Sequence, residues 1–145
     1  MKRVLILLFL CIFAFCSCTE TKDPTASLND FVSAYGAEGI IYSTEIKEGK
    51  EGYISPDIAK TIFGTTDLPD SYAIFLNTHL DYASECGAFL AHGDLSEVIS
   101  LCKRRIKLLD REGNHSFIAI YGDLVFYSTM TDKERAQKIA DVVFR

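Results

Sequence analysis

The stretch Ser116-Phe-Ile-Ala-Ile-Tyr-Gly-Asp-Leu-Val-Phe-Tyr-Ser-Thr129 decides the fold. Two runs rich in β-branched and aromatic residues, 116–121 and 124–129, flank Gly122-Asp123, the two-residue signal of a β-hairpin. Upstream, Leu95, Val98, Ile99, Cys102, Ile106 and Leu109 recur at spacings of three and four, which predicts a long amphipathic helix. Asp94-Leu95-Ser96-Glu97 gives it a capping-box-like start, and Gly113-Asn114 breaks it. Downstream, Thr131-Asp132-Lys133-Glu134 is a second capping box, opening a helix that turns Ala136, Ile139, Ala140 and Val143 inward.

Further upstream the period shifts again. Ser71 to Thr78 sets Tyr72, Ile74 and Leu76 against smaller or mixed residues, and Glu85 to Ala91 is a second apolar run, so both read as strands. Before them, Ser55-Pro56 opens a short helix with Ile58, Ala59 and Ile62 inside and Gly64 at its end. Glu45 to Gly52 is a charged surface loop, and Gly39 to Tyr42 is compatible with a short strand. Leu28, Phe31, Val32 and Tyr35 form a first helix, capped by Ser27 and closed by Gly36. The order is two short helices followed by two ββα units. Its simplest solution is an α+β domain: a four-stranded, mainly antiparallel sheet with the helices on one face.

The amino terminus reads differently. Lys2 and Arg3 precede a 13-residue apolar run, Val4 to Cys16, followed by Ser17 and Cys18. A membrane-spanning helix needs about 20 apolar residues, so this is the layout of a secretory signal, expected over residues 1–17. Phe15-Cys16-Ser17-Cys18 resembles the bacterial lipobox; Ser17 and Cys18 fit it, and Phe15 stands where Leu is usual. Cys18 is therefore the expected lipid-attachment residue, and the membrane the expected partner through that anchor. Residues 18–26, acidic and without large apolar side chains, would be a flexible tether, leaving 27–145 as one domain.

Composition excludes several classes of function. The leader holds two of the 15 basic residues and none of the 20 acidic ones, so the exported chain is more acidic than the −5 of the whole. Nucleic acid and anionic headgroups, held mainly through Lys and Arg, are poor partners for such a surface. The basic cluster Lys103-Arg104-Arg105 with Lys107 and Arg111 reads as the solvated face of the long helix. Of five cysteines, Cys11, Cys16 and Cys18 fall in or at the leader. Cys86 and Cys102 remain, 16 residues apart, read as buried free thiols rather than a disulfide or a redox pair.

Between Ile40 and Phe144 the chain also carries a set of softer motifs. They are Gly52-Tyr53-Ile54-Ser55, Phe63-Gly64, Tyr72-Ala73-Ile74-Phe75-Leu76, Ala83-Ser84-Glu85-Cys86-Gly87-Ala88-Phe89, Val98 through the basic helix, and Tyr121-Gly122-Asp123-Leu124-Val125. In these it resembles domain-of-unknown-function family 4358, small lipoproteins of Gram-positive bacteria. That resemblance implies an exported lipoprotein with a ββα-type domain, and it brings no activity or functional residues with it.

Catalytic signatures are missing from the sequence. His79, His92 and His115 share no metal-binding spacing, and there is no G-x-S-x-G elbow or phosphate loop. No cofactor, metal or catalytic residue is expected. Glu85, at the start of an apolar strand, reads as either a functional carboxylate or a solubilising strand-edge charge. Tyr35, Tyr42, Tyr53, Tyr72 and Tyr82 could build a binding surface or pack into the core. The expected function is a non-catalytic, membrane-anchored module of the cell envelope that binds a protein, peptide or wall component. The alternative is a small envelope hydrolase or transferase whose site is assembled from distant residues, such as Glu85 and one histidine. A thiol-based role for Cys86 and Cys102 is a third reading.

Overall fold

The computed structural model describes residues 22–78 and 84–145; Cys18, the leader, His79 and Tyr82 lie outside them. The elements are α1 (Pro24–Tyr35), β1 (Gly39–Ser43), α2 (Pro56–Phe63), β2 (Ser71–Asn77), β3 (Glu85–Leu90), α3 (Leu95–Leu109), β4 (Phe117–Tyr121), β5 (Leu124–Ser128) and α4 (Lys133–Val143). The fold class is α+β. All five strands pair antiparallel in one sheet, ordered β1-β2-β3-β5-β4.

Two features correct the sequence expectation. The sheet has five strands rather than four, because β1 pairs along its whole length with β2, from Gly39 opposite Asn77 to Ser43 opposite Ala73. The helices cover both faces rather than one. Ala73, Phe75, Cys86, Ala88, Leu124 and Phe126 face α1 and α4, while Tyr72, Ile74, Phe89, Val125 and Tyr127 face α2 and α3. Alternation at Tyr72, Ile74 and Leu76 identified only one of these faces. Ala73 and Phe75, in the gaps of that pattern, are fully buried on the other. Central strands covered on both sides read as continuous apolar runs, and every residue of β3 and β5 is buried.

Helix ends follow local chemistry. Asp23 accepts the amide of Thr25 and Pro24 occupies the first turn, so α1 starts three residues inside the expected tether and Ser27 is buried within the helix. Ser55 caps α2, Asp94 caps α3 and Asp132, rather than Thr131, caps α4. On the first face Phe31, Phe126 and Phe144 interlock, with ring centroids 4.6 to 6.2 Å apart. Each such buried ring contributes about 1.5–3 kcal/mol of transfer free energy.

Candidate binding groove

The second face of the sheet holds a buried polar unit. Glu85 opens β3 and is 4 % exposed, so its charge is out of water and needs compensation. Arg105 supplies it from α3 as a two-pronged pair: Nε donates to Oε1 at 2.8 Å and Nη2 to Oε2 at 2.5 Å. The Tyr127 hydroxyl, from β5, also donates to Oε1. Thr129 completes the surroundings, accepting the Glu85 amide at 3.0 Å. Burial, and then the adjacent Glu85 charge, push the Tyr127 phenol well above its ordinary range, so it keeps the proton it donates. For Arg105, burial disfavours the cation, but the hydrogen bonds and charge of Glu85 outweigh it and raise the pKa.

Gly87 makes room for this unit. A Cβ there would lie 2.5 Å from the Tyr127 ring and 3.0 Å from Ile74, so only glycine lets Tyr127 cross β3 to reach Glu85. Arg105 then extends the unit outward, its Nη1 donating to the carbonyl of Ile62 at 2.9 Å in the last turn of α2. One guanidinium thus ties α2 to α3 and both to the sheet.

Above that clamp lies an open groove of about 590 Å³. Ile62, Phe63 and Leu108 give it apolar surface, and Arg104, Lys107 and Arg111 surround it with positive charge. Leu108 is 67 % exposed, which is unusual for a leucine on a helix rich in charge. The arrangement suits a ligand that is apolar in part and negatively charged.

A second, polar cleft of about 510 Å³ lies at the other end of α3. His92, Asp67, Asp70, Glu97, Ser100 and Arg104 line it. Asp94, also in the cleft, is engaged as the α3 cap; hydrogen bonding from Ser96 holds its carboxyl below the usual carboxylate range. Among the described residues, no group of three or more His, Cys, Asp or Glu could hold a metal ion.

The structure separates most residues singled out in the sequence. Glu85 is neither a free carboxylate nor a solubilising edge charge, since β3 is central and its carboxylate is paired. His92 lies seven residues further along, beyond the opposite end of β3, about 23 Å away at the rise of a strand, so the two do not form one site. His115 is exposed on another loop, with Nδ1 3.0 Å from the Thr131 carbonyl. Tyr72 is buried and stacked on Phe89, while Tyr35 sits on the first face and accepts the amide of Asp132, so the tyrosines form no common patch. Cys86 and Cys102 are free, buried and on opposite faces of the sheet. Arg105 does not belong to a solvated basic face. Its place seven residues after Val98 and three after Cys102, in line with the apolar stripe, is the signal that points it inward.

Described by its fold, the chain is an α+β protein with one antiparallel sheet between two helical layers. Compared with family models, with curated proteins and with solved structures, it finds no match in any of the three.

Proposed function

We propose that the chain is a lipid-anchored, extracytoplasmic binding module that takes an acidic, partly apolar peptide segment of an envelope partner in the α2–α3 groove. The observation that carries the reading is the groove itself: exposed apolar surface ringed by Arg104, Lys107 and Arg111 on a chain of net charge −5. Arg105 fixes its two walls before any ligand arrives, which lowers the ordering cost of binding. The resemblance to family 4358 is what supports export and anchoring in this reading. With α1 starting at Pro24, only about 17 Å of extended chain would separate a lipidated Cys18 from Asp23. The domain would then ride close to the bilayer.

The test has two arms. In cell fractions, Cys18→Ala is expected to move the protein from the membrane to the soluble or released fraction; retention would count against the anchor. For the groove, a photoreactive group replacing Leu108 in the anchored protein is expected to label an acidic segment. Arg104→Glu with Lys107→Glu is expected to cut that labelling about tenfold, as two rim charges are each worth up to about 1 kcal/mol. Labelling that ignores both charge reversals would overturn the assignment.

The polar cleft supports a second reading, a small hydrolase, because it gathers His92, Ser96, Ser100 and several carboxylates. Turnover of an ester or amide substrate that His92→Ala abolishes would favour it.

A further inference from the structure

The sheet has two edges, and they are treated differently. At β1, the loop that follows the strand folds back over it: Ser43 donates its amide to the Gly52 carbonyl at 3.0 Å, and Ser43 bridges Tyr53. Gly52 lies so close to the Ile41 carbonyl that a Cβ there would be 2.3 Å away. That edge is covered. At β4, among the described residues, no strand pairs with the outer side.

The strand left open is Phe117-Ile118-Ala119-Ile120-Tyr121. It contains no charge, no proline and no glycine, the usual devices that blunt an edge. Ile120 is 50 % exposed. The direction of its backbone groups follows from its neighbours. Ala91 donates to the Asp123 carbonyl and Thr129 to that of Glu85, so the odd-numbered residues of β5 bond to β3. Its even-numbered residues therefore bond to β4, through Phe117, Ala119 and Tyr121, which face them in register. Ile118 and Ile120 are left with their N–H and C=O groups pointing outward.

The same five residues read alike in both directions about Ala119: aromatic, isoleucine, alanine, isoleucine, aromatic. A two-fold axis at Ala119 would set Ile118 opposite Ile120 of a second copy, and each pair would exchange both backbone hydrogen bonds, since these are the residues with outward groups. Phe117 would face Tyr121, an aromatic cross-strand pair, and the two small Ala119 side chains would meet where the strands come closest. A register shifted by one residue would place inward-facing groups opposite outward ones and lose those bonds.

We propose that the β4 edge is a self-association site, where two copies of this chain pair antiparallel about Ala119 into one ten-stranded sheet. Independent of the α2–α3 groove, the site uses another side of the molecule. A five-residue edge buries less than a standard interface, so the expected affinity in detergent is about micromolar, strengthened where anchoring confines both copies to one membrane.

The experiment uses the full chain, in membranes and purified in detergent. Across the two-fold axis the Ala119 α-carbons would be about 4.5 Å apart, within disulfide range. Ala119→Cys, oxidised with copper phenanthroline, is expected to give a covalent dimer in which mass spectrometry finds the peptide linked to itself through the introduced thiols. Ile120→Lys, at the exposed outward position, is expected to weaken dimerisation at least tenfold by sedimentation, whereas Ile58→Lys, on α2, leaves it unchanged. A monomer at about 100 μM with no self-linked peptide would overturn the proposal. So would cross-linking of the introduced thiol to a different protein, or a dimer indifferent to Ile120→Lys.

Discussion

At Glu85 a carboxylate has two oxygens to satisfy, and the fold fills both with Arg105 and Tyr127. A buried pair of this kind is costly to break from one side, because the survivor keeps its charge without its partner. Arg105→Ala is therefore expected to lower unfolding stability by about 3–5 kcal/mol in urea titrations, while Glu85→Leu combined with Arg105→Met and Tyr127→Phe, which leaves no buried hydroxyl without an acceptor, recovers most of that loss. If the single variant costs no more than an ordinary surface substitution, the pair is not what holds α3 to the sheet. In the sequence Glu85 was visible as an anomaly, a charge opening an apolar strand. Its partner was not, because Arg105 sits among four other cations and only its angular position on the helix separates it from them.

At the scale of elements, local signals carried furthest where they were complete within a few residues. Gly122-Asp123 marks the β4–β5 hairpin, and Ser55-Pro56 with Gly64 brackets α2, each as the sequence predicts. Asp110 is a further local device. Its two carboxylate oxygens accept the amides of Gly113, Asn114, His115 and Ser116, shaping the turn from α3 into β4. Burial alone would raise its pKa, and the hydrogen bonds from His115, Ser116 and Asn114 lower it instead. Less legible was the start of α1, where Asp23-Pro24 was hidden in a polar stretch without apolar period. The pairing of β1 was equally hidden, since a five-residue strand is too short to show whether it joins a sheet. The open edge of β4 belongs to the same scale: its palindromic pattern is in the sequence, but that it lies outermost is not. The effect expected of Ile120→Lys thus comes from the strand's place rather than its composition.

For the whole molecule, the sheet divides two cores, and both contain buried groups that must stay neutral. Cys86 lies in one; Cys102 and Tyr127 lie in the other. Burial pushes the Cys86 thiol and the Tyr127 phenol well above their ordinary ranges and Cys102 up to about 12. In the unfolded chain thiols lose their protons near pH 9, so above that pH the unfolded state binds fewer protons than the folded one. Stability is full below pH 9 and is expected to fall as pH rises towards 12, by about 1.4 kcal/mol per unit for each fully offset group. Chemical denaturation at pH 8, 10 and 11 checks this, together with thiol labelling that reports Cys86 and Cys102 only on unfolding. A stability that stays flat to pH 11 would contradict the neutral burial of these groups.

The sequence by itself determined the α+β class, most helix and strand positions and the hairpin, because propensity, capping and turn chemistry act within a few residues. The tertiary structure alone decided that helices cover both faces, that β1 closes one edge while β4 leaves the other open, and that Arg105 turns inward to Glu85 and braces the groove. Those outcomes depend on which distant surfaces meet. An apolar side chain gains the same free energy against either face of a sheet, and only the path of the connecting chain chooses between them.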